Sequence, residues 1–139
     1  MSLSIRNQIP GTVIAVTTGE VMATVKVRLD GGQEITAAIT RESVRDLDLA
    51  TGTAVRVLVK STEVALATAP VEGISIRNQL PGTVSDITTG AAMASVKVTV
   101  AGGSLTAAIT ADAVRALDLA AGSPVVALIK STEISLATG

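Results

Sequence analysis

Residues 21–39 read "VMATVKVRLDGGQEITAAI". Val21, Ala23, Val25, Val27 and Leu29 fall on one side of an extended chain, and Thr24, Lys26 and Arg28 on the other. Period-two alternation of this kind predicts a half-buried strand. The "DGG" that follows reads as a tight hairpin turn needing positive φ. "QEITAAI" then returns as the partner strand. Downstream, "TRESVRDLDL" changes to helical spacing, with Val44 and Leu47 three apart, Thr40 at the N-cap position, and Glu42 and Asp46 on the polar face. "TGTAVRVLVK" predicts another strand after Gly52, and "EVALA" a fifth. Upstream, Ser4 to Val16 predicts the first strand, bent at Pro10-Gly11. Proline inside a strand points to an edge or a bulge. The order β-β-β-α-β-β, all-β with one short helix, is the pattern of an OB-type barrel.

The whole pattern occurs twice. Residues 4–27 and 75–98 agree at 17 of 24 positions without a gap. "GGQEITAAIT" pairs with "GGS-LTAAIT", "VRDLDLATG" with "VRALDLAAG", and "KSTEVALAT" with "KSTEISLAT". Two tandem five-stranded OB-type units are therefore expected, residues 1–68 and 74–139. Residues 69–73, "APVEG", form the linker, marked by Pro and Gly. Two copies are too few for a solenoid. Barrels this small have little core of their own, so an obligate oligomer is expected.

Composition narrows the function classes. Lys plus Arg total 11 and Asp plus Glu 12 in 139 residues, so no basic excess recommends a nucleic-acid partner. Phe, Trp and Tyr are absent, which removes the stacking platforms of single-strand binders. Without Cys or His there is no disulfide, no thiolate metal site and no imidazole base. The N-terminal "MSLSIRNQIPG" has no signal-peptide h-region, and no apolar run approaches membrane-spanning length. A soluble, cytoplasmic protein with no membrane partner is expected. Catalysis is not. Lys60-Ser61 and Lys130-Ser131 could suggest a Ser/Lys pair, but neighbours in a strand point to opposite faces. The acids held in both copies, Asp48 with Asp118, Glu63 with Glu133, and Glu42 with Asp112, are too scattered for a cation site.

An anion site fits better. Ser4, Arg6 and Asn7 recur as Ser75, Arg77 and Asn78, and Lys60 and Ser61 recur as Lys130 and Ser131. In a strand, Ser4 and Arg6 would share a face. The set offers hydroxyl, guanidinium, amide and ammonium donors, and about two positive charges would balance a dianion through charge-assisted bonds. The bland reading is that Arg6 is a surface charge and Lys60 the solvated end of a strand. Divergence between copies weighs against it. Arg28, Arg41 and Glu20 have become Thr99, Ala111 and Ala91, while the Ser-x-Arg-Asn and Lys-Ser-Thr-Glu stretches are intact. Lys26 and Arg45 also keep their charge, so the filter is imperfect. Thr40 and Thr110 are either helix N-caps or ligand hydroxyls. The opening motif reads as an edge strand and as half of a site, aimed where Lys60 and Ser61 of a neighbouring unit arrive.

"S-I-R-N-Q-[IL]-P-G-T-V", followed by "K-S-T-E", resembles the molybdate-binding Mop domain, the unit of the molbindins. Two such units and little else resemble the di-Mop molbindins, bacterial molybdenum storage or homeostasis proteins. The resemblance implies an OB-type fold, cytoplasmic molybdate binding with tungstate possible, trimeric assembly, and sites shared between neighbouring subdomains. It assigns the oxyanion to Ser4, Arg6, Lys60 and Ser61, and to Ser75, Arg77, Lys130 and Ser131, through hydrogen bonds and charge with no cation as cofactor. Asn7 and Asn78 belong to the same motif, as ligands or as shapers of the turn. Thr40 and Thr110 are secondary candidates. A helix-turn-helix and a G-x-x-x-x-G-K-[ST] loop are both missing from this sequence. The alternative reading is an OB-type structural module that pairs subunits and binds no oxyanion.

Overall fold

The computed structural model describes residues 2–139. The first repeat forms β1 (Asn7–Thr18), β2 (Met22–Leu29), β3 (Glu34–Thr40), α1 (Arg41–Asp46), β4 (Ala54–Val59), a 3-10 turn at Ser61–Glu63 and β5 (Ala65–Ala67). The second forms β6 (Asn78–Thr89), β7 (Met93–Val100), β8 (Gly103–Thr110), α2 (Ala111–Ala116), β9 (Pro124–Ile129), a 3-10 turn at Ser131–Glu133 and β10 (Ser135–Ala137).

The β2 alternation holds. Ala23, Val25, Val27 and Leu29 are buried, and Thr24, Lys26 and Arg28 face water. Val21 departs from the expected face. It lies before the strand and is 72% exposed. The helix forms where the spacing placed it, with Thr40 accepting from the Ser43 N–H. Its other end explains two acids shared by both repeats. Asp48 adopts φ 53 and Asp118 φ 52. The N–H of Asp48 bonds the Arg45 carbonyl and that of Leu49 bonds Val44, with Val44 and Leu49 both buried. This is the Schellman stop, with Asp in the left-handed position where Gly is usual.

Two curled antiparallel sheets result, with strand orders β10-β4-β1-β2-β3 and β5-β9-β6-β7-β8. Each repeat gives its last strand to the other repeat's sheet. Leu136 of β10 pairs with Val57 of β4, and Leu66 of β5 pairs with Ala127 of β9. A shared core of Val, Ile, Leu and Ala side chains from both repeats follows from that exchange.

The first strand corrects the edge-strand expectation. β1 lies inside its sheet, between β4 and β2. It runs through Pro10-Gly11 unbroken, and its register shift falls between Val13 and Ala15. Pro10 is tolerated because its carbonyl accepts from Asp30 on the β2 side. Its missing N–H points the same way, and the β2 ladder begins only at Gly11. Gly11 marks a close crossing. A Cβ there would sit 2.7 Å from Val27 Cγ1 and 2.8 Å from the Arg28 carbonyl.

Candidate functional site

Regular pairing of β1 with β4 ends at Asn7 opposite Val59. The next position outward sets Arg6 against Lys60, and Ser61 opens the 3-10 turn beside them. The second repeat matches, with Asn78 opposite Ile129 and Arg77 against Lys130. Arg6 and Lys60 thus flank the same strand end of one repeat. Ser4 and Arg6 precede the strand, so the shared-face expectation for them does not hold. The Arg6 guanidinium turns back on its own backbone, 3.4 Å from the carbonyls of Ser4 and Leu3.

Both cations are exposed. Among the described residues the ion pairs are Arg28–Glu34 and Arg115–Asp112. Arg6, Lys60, Arg77 and Lys130 take part in neither, so each strand end presents two uncompensated positive charges. No group of three or more Asp or Glu that could hold a cation occurs among the described residues.

Asn7 and Asn78, each 3% exposed, are buried polar side chains in an otherwise apolar interior. Asn7 Nδ2 donates to the Thr106 carbonyl at 2.8 Å, and the Thr106 N–H donates to Asn7 Oδ1 at 2.8 Å. Asn78 does the same with Thr36, again at 2.8 Å twice. Thr106 and Thr36 lie on β8 and β3, the outer strands of the two sheets. Each asparagine therefore acts as one rung of ladder for an edge strand of the other repeat. Outward-facing groups alternate along an antiparallel strand, so Ala108 and Ala38 present the next N–H and C=O on those edges. The Ser61–Glu63 turn packs on β8, and the Ser131–Glu133 turn on β3. Ser61 Oγ is buried without a hydrogen-bond partner. Its counterpart, Ser131 Oγ, accepts from Asn78 Nδ2 at 3.4 Å.

Thr40 and Thr110 stand apart from these clusters. They cap the helices, with Ser43 N–H to Thr40 Oγ1 at 3.1 Å and Ala113 N–H to Thr110 Oγ1 at 3.0 Å. Thr40 is four residues from Thr36, about 13 Å along the strand. A shallow cavity of about 350 Å³ lies beside Arg77, lined by Glu72, Ile74, Ile76 and Gln79. Lys130 and Ser131 are not among its lining residues.

The TOBE domain family matches residues 3–66 and again 74–136. The chain belongs to the TOBE-domain family. A solved structure of the cytoplasmic molybdate-binding protein ModG, with molybdate bound, is 40% identical and covers 100% of both chains at a TM-score of 0.97. The Mop-type resemblance and the tandem OB-type fold are thereby borne out. The chain is 42% identical to the molybdenum transport protein ModE of Azotobacter vinelandii over 138 residues, 99% of this chain and 51% of the relative. It is 40% identical to the molybdenum-pterin-binding protein MopB of Rhodobacter capsulatus over 136 residues, 96% of this chain and 50% of the relative. The chain thus spans about half the length of these curated relatives.

Each TOBE repeat carries a guanidinium, an ammonium and a hydroxyl near one sheet end, and among the described residues neither cation is in an ion pair. Such a set donates hydrogen bonds and accepts few, which suits a fully deprotonated oxyanion. The parts that sequence reasoning missed are backbone: Thr36 and Thr106. The one signal for them was an Asn kept beside the Arg in both TOBE repeats.

Proposed function

We propose that the chain binds molybdate without catalysis, in the cytoplasm, for molybdenum storage or homeostasis. Arg6, Lys60 and Ser61 form one donor set and Arg77, Lys130 and Ser131 the other, with Ser4 and Ser75 at their rims. Neighbouring copies close these open clusters in a homotrimer. The observation that carries the reading is the uncompensated Arg-Lys-Ser cluster, present twice on a fold that superposes on a molybdate-binding protein at a TM-score of 0.97. Tungstate, of like size and charge, competes at the same sites. Protonated phosphate is disfavoured, because an all-donor site has nowhere to place its O–H. No nucleic-acid partner is proposed, in keeping with a net charge of −1 and the absence of aromatic side chains. No helix among the described residues is long and apolar enough to cross a membrane.

Calorimetric titration of the purified chain with molybdate tests the reading, alongside molybdenum analysis after gel filtration. Arg6→Ala and Arg77→Ala should each weaken binding. The expected loss is about 2–5 kcal/mol where assembly desolvates the contact. At a hundredfold excess over Kd, molybdate should add about 2.7 kcal/mol of stability. Wild-type protein that takes up no heat and retains no molybdenum would refute the proposal.

A further inference from the structure

We infer that Asn7 and Asn78 are positioning residues rather than oxyanion ligands, and that they make each site a joint product of both repeats. The inference rests on the function proposed above and concerns how its site is held. Asn7 commits its oxygen and one N–H to the two backbone groups of Thr106, both at 2.8 Å. Asn78 commits the same atoms to Thr36. A primary amide has two N–H groups. In the second repeat the one left over reaches the serine of the adjoining turn, Asn78 Nδ2 to Ser131 Oγ at 3.4 Å, whereas in the first repeat Ser61 Oγ is buried without a hydrogen-bond partner. A hydroxyl that accepts from the amide keeps its own hydrogen for an outside acceptor. Asn78 therefore leaves the Ser131 O–H free to donate while joining that serine's turn to Thr36 of the opposite repeat.

Burial agrees with that role. At 3% exposure each asparagine is enclosed in the interior with its amide committed to backbone, while the Arg and Lys beside it are exposed. The clamp also spans far more sequence than the motif. Asn7 and Thr106 are 99 residues apart, and Asn78 and Thr36 are 42 apart. Strand exchange supplies the rest of the frame. β5, which leaves the Ser61–Glu63 turn, pairs with β9 of the second repeat. That turn is thereby held to the second repeat by its packing on β8 and by β5 after it. Supporting groups that orient ligands change affinity by about 10–100-fold when removed from metal sites, and a displaced hydroxyl and ammonium should behave alike.

The experiment titrates molybdate into the full chain as wild type, Asn7→Ala, Asn78→Ala, Arg6→Ala and Val44→Ala, the last a core truncation in α1, beyond Thr40. Amide hydrogen exchange is followed at Thr106 and Thr36, with and without saturating molybdate. Asn7→Ala and Asn78→Ala should each weaken about half of the sites by tenfold or more. Val44→Ala should lower the melting temperature and leave affinity unchanged. Thr106 N–H should be protected in wild type, stay protected on saturation with molybdate, and exchange rapidly in Asn7→Ala. Wild-type affinity in Asn7→Ala beside weakened binding in Arg6→Ala overturns the inference and leaves the function standing. Loss of Thr106 protection on saturation overturns it too, since the amide would have left the strand for the ion. No uptake by wild type overturns the function and this inference with it. Should Asn7→Ala fail to fold, Asn7→Asp serves. It keeps the acceptor for Thr106 N–H, loses the donor to the Thr106 carbonyl, and should still lower affinity.

Discussion

Gly82, the last residue of the second Pro-Gly pair, is the sharpest test of how tightly the sheet turns its corner. It stands in β6 opposite Val100 of β7 and Val125 of β9. A Cβ added there would fall 2.5 Å from the Thr99 carbonyl oxygen and 2.7 Å from Val98 Cγ1. A carbon and a carbonyl oxygen settle at about 3.3 Å or more, so β6 and β7 would have to part by about 0.8 Å. Neither neighbour yields easily. One is backbone within a ladder, and Val98 is wholly buried. Overpacking of this kind costs about 1–3 kcal/mol. Against it, replacing Gly by Ala removes about 0.4–1 kcal/mol of unfolded-chain entropy. Gly82→Ala should therefore lose about 1–2 kcal/mol net. Gly103→Ala is the internal control. A Cβ there meets nothing within 4 Å, and Gly103 is not among the positive-φ glycines. Only the entropic gain remains, so that variant should be stabilised by about 0.4–1 kcal/mol. Urea unfolding followed by far-ultraviolet circular dichroism, at one fixed protein concentration, measures both. Equal midpoints for the two variants would refute the close approach. They would also remove the reason for glycine in the repeated Pro-Gly.

Much of the fold is legible because it is local. Alternation over residues 21–39 names its own buried face, and the Thr40 cap and the "DGG" turn are read within four residues. What is not local is not legible. "EVALA" and "EISLA" are near-identical strands, so nothing in their residues says which β-strand each will join, and the exchange of β5 and β10 goes unseen. Pro10 misleads for a related reason. Its missing N–H faces one flank only, and a linear reading cannot tell that the other flank carries a full ladder with β4. At the candidate site, Arg6, Lys60 and Ser61 are legible as a repeated set of donors. Their meeting point is not, since it depends on the register Asn7 opposite Val59. Nothing local separates Asn7 from its charged neighbours, because its partner is a backbone amide 99 residues away. Asp48 and Asp118 recur in both copies as ligands would, yet a left-handed backbone accounts for the position, and Asp tolerates that conformation better than most residues.

The remaining expectations concern the caps, the helix stop and the exchanged strand. Thr40→Ala and Thr110→Ala should each cost about 1 kcal/mol in urea unfolding through loss of the N-cap. Molybdate titration of the same variants should give wild-type affinity, and weakened binding would return these hydroxyls to the site. Asp48→Gly should be tolerated, whereas Asp48→Val should cost about 1–2 kcal/mol by forcing a β-branched side chain to φ 53. Deleting residues 134–139 separates the exchanged topology from one in which each repeat keeps its own last strand. The deletion removes β10, whose Ser135, Leu136 and Ala137 pair with Leu58, Val57 and Arg56. Amide exchange should therefore accelerate in β4 of the first repeat, about 75 residues upstream of the cut along the chain, and stay slow in β9. Without the exchange, the damage would fall on β9 beside the truncation. Protection lost in β9 and kept in β4 would overturn the pairing of the last strands, and with it the view that the two barrels are built from each other.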